Sequence, residues 1–328
     1  MKKKVLCIGL AIGLLVVGSL LVCLLINSAR PVRITMDVKP AGQINYNNYI
    51  VDNRLDYKNN QFAWQNNSLF GSKLTLLSDS DTPSVLSGIT APFQLLKDRV
   101  VFIKNGNLLV RMLSGKQDKC ISEKTTSFIA REDAVLYLSE GMLLQYNWFD
   151  QNTSVLGENV YQFFIHQDQL YVVNLDEQLL RLEQNGTWCK LYAFQMTSYP
   201  FCVMPQGNSV VYLKNNELQY VDILTGISET VCLTDGNYAN NRINFICDDN
   251  SLFVSFQATE TDGSIVKDVD HANNGVWSVD HQTKEKEKVC NETFSQLYLF
   301  EGNQLFGVKD DKLYQIDTES GNVTQISD

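Results

Sequence analysis

One phrase recurs seven times along this chain, and it limits the fold more than any other feature. A polar residue opens a short apolar run: Asn60-QFAW, Asp98-RVVF, Asp133-AVLY, Asp168-QLYV, Asn208-SVVY, Asn250-SLFV and Asn303-QLFG, at spacings of 38, 35, 35, 40, 42 and 53 residues. Some ten residues after most openers a second run begins, at Leu108, Leu143, Leu179, Leu218 and Leu313. A turn follows at Ser114-Gly115, Asn185-Gly186, Thr225-Gly226 and Ser320-Gly321, and a further apolar stretch leaves it, as in Val231-Cys232 and Val323–Ile326. Five residues ahead of the opener stands an aromatic in five copies: Phe93, Phe128, Phe163, Phe245 and Tyr298. Leu55 and Val203 hold that slot in the other two.

Each unit therefore reads as four short strands joined by polar turns. A period of this size with four strands is the mark of a β-propeller blade. A single small twisted sheet cannot bury both of its faces. Sheets stacked face to face around an axis bury both and leave only short, protected edges. The expectation is an all-β, seven-bladed β-propeller over residues 51–328, with six or eight blades as the neighbouring counts. The aromatic falls on the innermost strand, where it is expected to pack against the next blade. Helical folds are disfavoured, because β-branched and aromatic residues abound and no sustained 3.6-residue period appears after residue 30.

Phrases such as LYVVNLDEQLLRL and LYQIDTESGNV resemble bacterial surface propellers related to the YWTD blades of low-density-lipoprotein receptors, over residues 55–328. Where that family reads Y-W-T-D, this chain reads VVFI, VLYL, LYVV and VVYL. No WD dipeptide, kelch double glycine or sialidase Asp-box is present. The resemblance implies a binding platform and carries over no catalytic residue.

The first thirty residues differ from the rest. Lys2, Lys3 and Lys4 precede an unbroken apolar run from Val5 to Ile26. As a helix such a run reaches roughly 33 Å, enough for a hydrocarbon core of about 30 Å. The lysines place the N-terminus on the cytoplasmic side. A cleaved signal peptide fits less well: its apolar region is normally shorter, and Asn27-Ser28-Ala29 is a poor small-x-small site. Val22 before Cys23 also argues against a lipoprotein site. The expected order is a cytoplasmic tail (1–4), a transmembrane signal anchor (5–26), a stalk (27–50) and the propeller (51–328). That makes a single-pass protein of the cell membrane with its C-terminal domain outside, the membrane being its first partner. Residues 31–328 hold 23 basic against 37 acidic residues, a net of −14, which disfavours binding to nucleic acid.

Candidate sites follow from departures from the period. The sixth copy carries an insertion, Thr259–Gly275, between its second and third strands. Loops project function from a scaffold of sheets, so Asp262, Asp268, Asp270, His271, Asn273, Asn274 and the nearby Trp277 form one candidate binding surface. Ala272 and Asn273 break the EF-hand pattern, so no metal is expected there, and an Asn274-Gly275 turn accounts for the composition. His166, on an innermost strand, is a second candidate, facing the central channel. His281 is expected to be solvated. Cys120, Cys189, Cys232 and Cys290 recur on outermost strands, too far apart to bridge, and are expected as buried thiols. Cys202 and Cys247 lie on or near neighbouring innermost strands and are the candidate disulfide. No C-x-x-C pair, nucleophile elbow or phosphate loop occurs, so neither a catalytic set nor a cofactor is assigned. The expected function is binding or scaffolding of a protein or a cell-surface polymer such as a polysaccharide. The alternative is a lyase or hydrolase of such polymers with its site in the central channel.

Overall fold

The structure, a computed structural model, describes residues 54–58, 61–68, 71–77, 84–194, 201–204, 206–214, 217–231, 241–248, 250–258, 273–300 and 304–327. The expected anchor (5–26) and stalk (27–50) lie outside these residues, and no described helix is long and apolar enough to cross a membrane. The described chain is all β: seven four-stranded antiparallel sheets, each made of four consecutive strands. Blade I runs from Leu55 to Ser87, blade II from Phe93 to Ser122, blade III from Thr125 to Gly157 and blade IV from Val160 to Ala193. Blade V runs from Phe201 to Val231, blade VI from Asn241 to Cys290 and blade VII from Gln296 to Gln325. First strands touch between blades I and II, V and VI, and VI and VII, which makes the first strand innermost. Every one of the seven polar openers sits one residue before the second strand of its blade.

Seven blades bring seven hydrophobic clusters among the described residues, and each cluster joins two blades rather than filling one. This is the stacking logic of the repeat made concrete. The recurrent leucines Leu108, Leu143, Leu179, Leu218 and Leu313 are all fully buried. Phe93, Phe128, Phe163 and Phe245 are buried too, as are Leu55 and Val203 in the same slot. These six pack against the preceding blade, not the next one, which corrects the expected direction.

Tyr298 alone in this column turns the other way, onto blade I. The cause is register. Phe93 pairs with Phe102, Phe128 with Tyr137, Phe163 with Val172 and Phe245 with Val254, each partner four residues past its opener. Tyr298 pairs with Phe306, only three past Asn303. A slip of one residue moves a side chain to the opposite face of a sheet. Leu297 and Leu299 take the inward position against blade VI, while Tyr298 and Phe300 cross to blade I.

Each innermost strand has one edge with no β partner, and an unpaired edge amide is costly when dry. Side chains of the preceding blade serve several of these groups. Leu95 N–H donates to Asp56 Oδ2 (2.5 Å), Ala130 N–H to Gln94 Oε1 (2.5 Å) and Leu297 N–H to Asn244 Oδ1 (3.0 Å). At the closing seam Arg54 N–H donates to Tyr298 Oη (2.9 Å). Among the described residues blades I and VII share no strand, so contacts made by side chains close the ring: the cluster of Leu55, Phe62 and Trp64 with Tyr298, Phe300 and Phe306, the Arg54–Asp311 ion pair at 2.6 Å, and the Tyr298 hydroxyl on Arg54 N–H.

Candidate functional site at the closing seam

Strands alternate in direction, so the links between blades and the turns from second to third strands share one face of the ring. The turns from first to second and from third to fourth strands share the other. The first of these faces holds a cavity of about 440 Å³, where blades VII, I and II meet. That volume falls within the range of small-molecule sites.

Its wall follows from the local rules above. The register slip that carries Tyr298 to blade I carries Gln296 with it, since residues two apart share a face. Tyr298 Oη–H donates to Gln296 Oε1 at 2.7 Å. Blade I supplies Arg54, Gln65 and Asn67, and the link into blade II supplies Thr90 and Ala91. Ser295 completes the wall from the link into blade VII.

Arg54 is the pivot. It is 9% exposed. Its guanidinium lies over the buried Trp64 ring, 5.0 Å from the centroid, as a cation over an aromatic face. Nε donates to the Gln65 backbone oxygen (3.2 Å) and to Gln65 Oε1 (3.1 Å). Nη1 donates to Asp311 Oδ1 on the turn of blade VII. Nη2 is buried and has no partner among the described residues. Gln65 Nε2 passes its hydrogen to Asn67 Oδ1 at 2.9 Å. Thr90 Oγ1 donates to the Ile103 carbonyl (2.6 Å) and Ser295 Oγ to the Val308 carbonyl (3.0 Å). Both hydroxyls have thus committed their hydrogens and face the cavity as acceptors. Nη2 is shut off from solvent beneath the cavity wall, a costly place for a donor without an acceptor.

None of the described residues singled out from the sequence lines this cavity. Asp262, Asp268, Asp270 and His271 lie outside the described residues. The insertion does join the second and third strands of blade VI, Ser251–Ala258 and Gly275–Asp280, on the same face as the cavity. Asn273 accepts the Trp277 indole N–H through its backbone oxygen at 2.8 Å, and Lys288 Nζ stands 5.5 Å from the centre of that ring. Asn274 leads into Gly275, whose φ is +138° and where a Cβ would meet the Cys290 carbonyl at 2.2 Å. His166 is buried at the end of the innermost strand of blade IV, on the other face, so the structure does not bring it together with Trp277. Arg54 was legible in one respect. It stands one residue before the aromatic column, where the other copies carry Pro92, Ser127, Gln162, Cys202, Asn244 and Leu297, and is the only charge there.

Three expectations change. His281 is not solvated: Nδ1 lies 3.1 Å from Tyr220 Oη and Nε2 lies 2.9 Å from the Asp248 carbonyl. Only an N–H can face a carbonyl, so Nε2 carries the proton and Nδ1 accepts from the tyrosine. Burial pushes the His281 pKa down, against the Asp248 carbonyl and with help from Lys284. Cys202 and Cys247 are not bridged; both are buried thiols in one cluster between blades V and VI. The Cys202 thiol donates instead to the Phe245 carbonyl at 3.6 Å, two residues along the strand from Cys247. That offset is about 6.6 Å of strand. Of the outer cysteines Cys290 is buried as expected, whereas Cys120 is exposed and Cys189 half-buried. Among the described residues no group of three or more His, Cys, Asp and Glu side chains could hold a metal.

No family model matches the chain, and no curated protein matches it. Solved structures do share the fold. PorZ, an essential bacterial surface component of the type-IX secretion system of Porphyromonas gingivalis, aligns with a TM-score of 0.53 at 9% identity. That match covers 89% of this chain but 39% of PorZ, so this chain spans well under half of that protein's length. BamB from Moraxella catarrhalis aligns with a TM-score of 0.51 at 13% identity, over 81% of each chain. The WD40 β-propeller domain of Doa1 aligns with a TM-score of 0.50 at 10% identity, over 90% of this chain and 97% of that one. At such identities the likeness is one of fold, and the fold is a seven-bladed β-propeller with bacterial propellers among its structural neighbours.

Proposed function

We propose that this chain is a binding module of the cell surface, held to the membrane by residues 5–26 with its propeller outside, and that it acts by presenting one face of the ring to a ligand. The observation that carries the reading is the polar cavity at the closing seam, walled by Arg54, Gln65, Asn67, Thr90, Ser295 and Gln296. The apolar run behind three lysines supports the anchor, and the acidic body argues for a partner other than nucleic acid. The YWTD-like phrases support the same class of surface propeller. Propellers host unrelated activities, so the site and not the fold must decide.

The experiment is cross-linking in intact cells with a photoreactive residue at Asn67, followed by protease treatment of spheroplasts. Adducts at Asn67 that are absent with the same probe at Lys116, and cleavage of the chain by externally added protease, are expected. A chain protected until the membrane is broken, or one without site-dependent adducts, would overturn the reading.

A further inference from the structure

The inference rests on that reading of the closing-seam cavity and names its ligand. We infer that the cavity takes a neutral, hydroxyl-rich sugar unit of a glycan, held by hydrogen bonds to hydroxyl groups and not by charge.

Three observations decide among ligand chemistries. First, the positive charge is already met, because Arg54 Nη1 is paired with Asp311 at 2.6 Å. An incoming carboxylate or phosphate would find a neutral pair in an acidic protein, with residues 31–328 at a net of −14. Second, the cavity offers both halves of the hydrogen bond. Arg54 lines the cavity through the rest of its side chain, while its Nη2 lies beneath the surface. Asn67 uses Oδ1 to receive the Gln65 amide, which leaves its Nδ2–H groups as donors. Thr90 and Ser295 have given their hydrogens to the Ile103 and Val308 carbonyls, so their oxygens present lone pairs alone. A carboxylate only accepts and would leave those two oxygens facing negative charge. A hydroxyl donates and accepts at once, and neighbouring sugar hydroxyls can meet both kinds of group. Third, among the described residues the lining contains one small apolar side chain, Ala91, and no exposed aromatic; Trp64 is buried beneath Arg54. That argues against an apolar peptide anchor, which needs a greasy pocket.

Specificity follows from the same geometry. A site built to hydrogen-bond hydroxyls rejects the analogue that lacks one, because its own buried groups are then left unpaired. Arg54 holds Gln65, Gln65 holds Asn67, and Asn67 sets the rim contact.

The test uses the full-length chain in detergent micelles and saturation-transfer difference NMR with three sets of probes. These are neutral gluco- and manno-trisaccharides, uronic-acid trisaccharides, and tripeptides with free C-terminal carboxylates. Saturation transfer to a neutral trisaccharide is expected. Asn67→Ala, an exposed rim position, should keep the wild-type melting temperature and weaken binding about 2- to 10-fold, the loss of one hydrogen bond. Arg54→Met should abolish the signal. Preference for uronates or peptides, or undiminished binding in Asn67→Ala, would overturn the inference. No signal from any neutral sugar, with Asn67 cross-links still formed in cells, would sink the sugar and leave the binding reading intact. Loss of both would end both.

Discussion

His281 shows how a side chain that looks like a turn residue becomes a titrating part of an interface. It sits in edge-to-face contact with Tyr220, 5.4 Å between ring centres, with both ring nitrogens occupied. Lys284 lies 4.1 Å from the centre of the Tyr220 ring and donates to the His281 carbonyl, placing a second cation beside the imidazole. The folded pKa therefore falls below the unfolded value of about 6.5. Over that interval the unfolded chain binds the extra proton, so stability is full above pH 6.5 or so and drops as the pH falls through the folded pKa. The denaturant midpoint of the wild type should decline between pH 7.5 and 5.5, and His281→Gln should flatten that decline. A variant with the same pH slope as the wild type would show that His281 is not the group responsible. Tyr220, whose own ionisation is suppressed by burial, stays a neutral hydroxyl throughout.

At the scale of elements, the repeat tolerates exceptions only where a neighbour compensates. The seventh copy reads QLFG where the others end on a larger residue, a break in the apolar pattern. The structure explains it: a Cβ on Gly307 would lie 2.4 Å from the Phe294 ring, which fills that space from the link between blades VI and VII. Gly307→Ala, which restores the pattern, should destabilise by about 1–3 kcal/mol through overpacking. Thermal or chemical melting reads it, and a neutral or stabilising outcome would contradict the account. The strand edges make a second case. Asp56 is fully buried on the innermost strand of blade I and receives Leu95 N–H from blade II. Asp56→Ala leaves that amide unsatisfied and should cost about 1–3 kcal/mol, with Asp56→Asn milder because its oxygen can still accept. Equal losses for the two variants would argue that charge, not hydrogen bonding, is what the position supplies.

Over the whole molecule, stability is spread around seven interfaces, and the insertion of blade VI hangs from strands that are already paired up to Phe256 and Gly275. Replacing residues 260–272 with a short Gly-Asn linker should leave the melting temperature within about 2 °C of wild type, within the range of surface changes. It should also leave trisaccharide binding unchanged, since the cavity lies between blades VII, I and II. Loss of binding on that deletion would return the site to the insertion. Seven copies of the period, the place of every second strand and the buried column of leucines and aromatics are legible in the chain alone, with six or eight blades left open as neighbouring counts. These are written in local periods, and local periods survive in a linear chain. Arg54 was visible as the one charge in its column, but its role was not. The closing-seam cavity depends on a one-residue slip in blade VII, on the meeting of residues 54 and 311, and on hydroxyls already committed to carbonyls elsewhere. Tyr298 keeps the common five-residue distance from its opener, so nothing in the linear spacing announces that it turns the other way. Such facts belong to contacts between residues far apart in sequence, and only the closed ring brings those residues together.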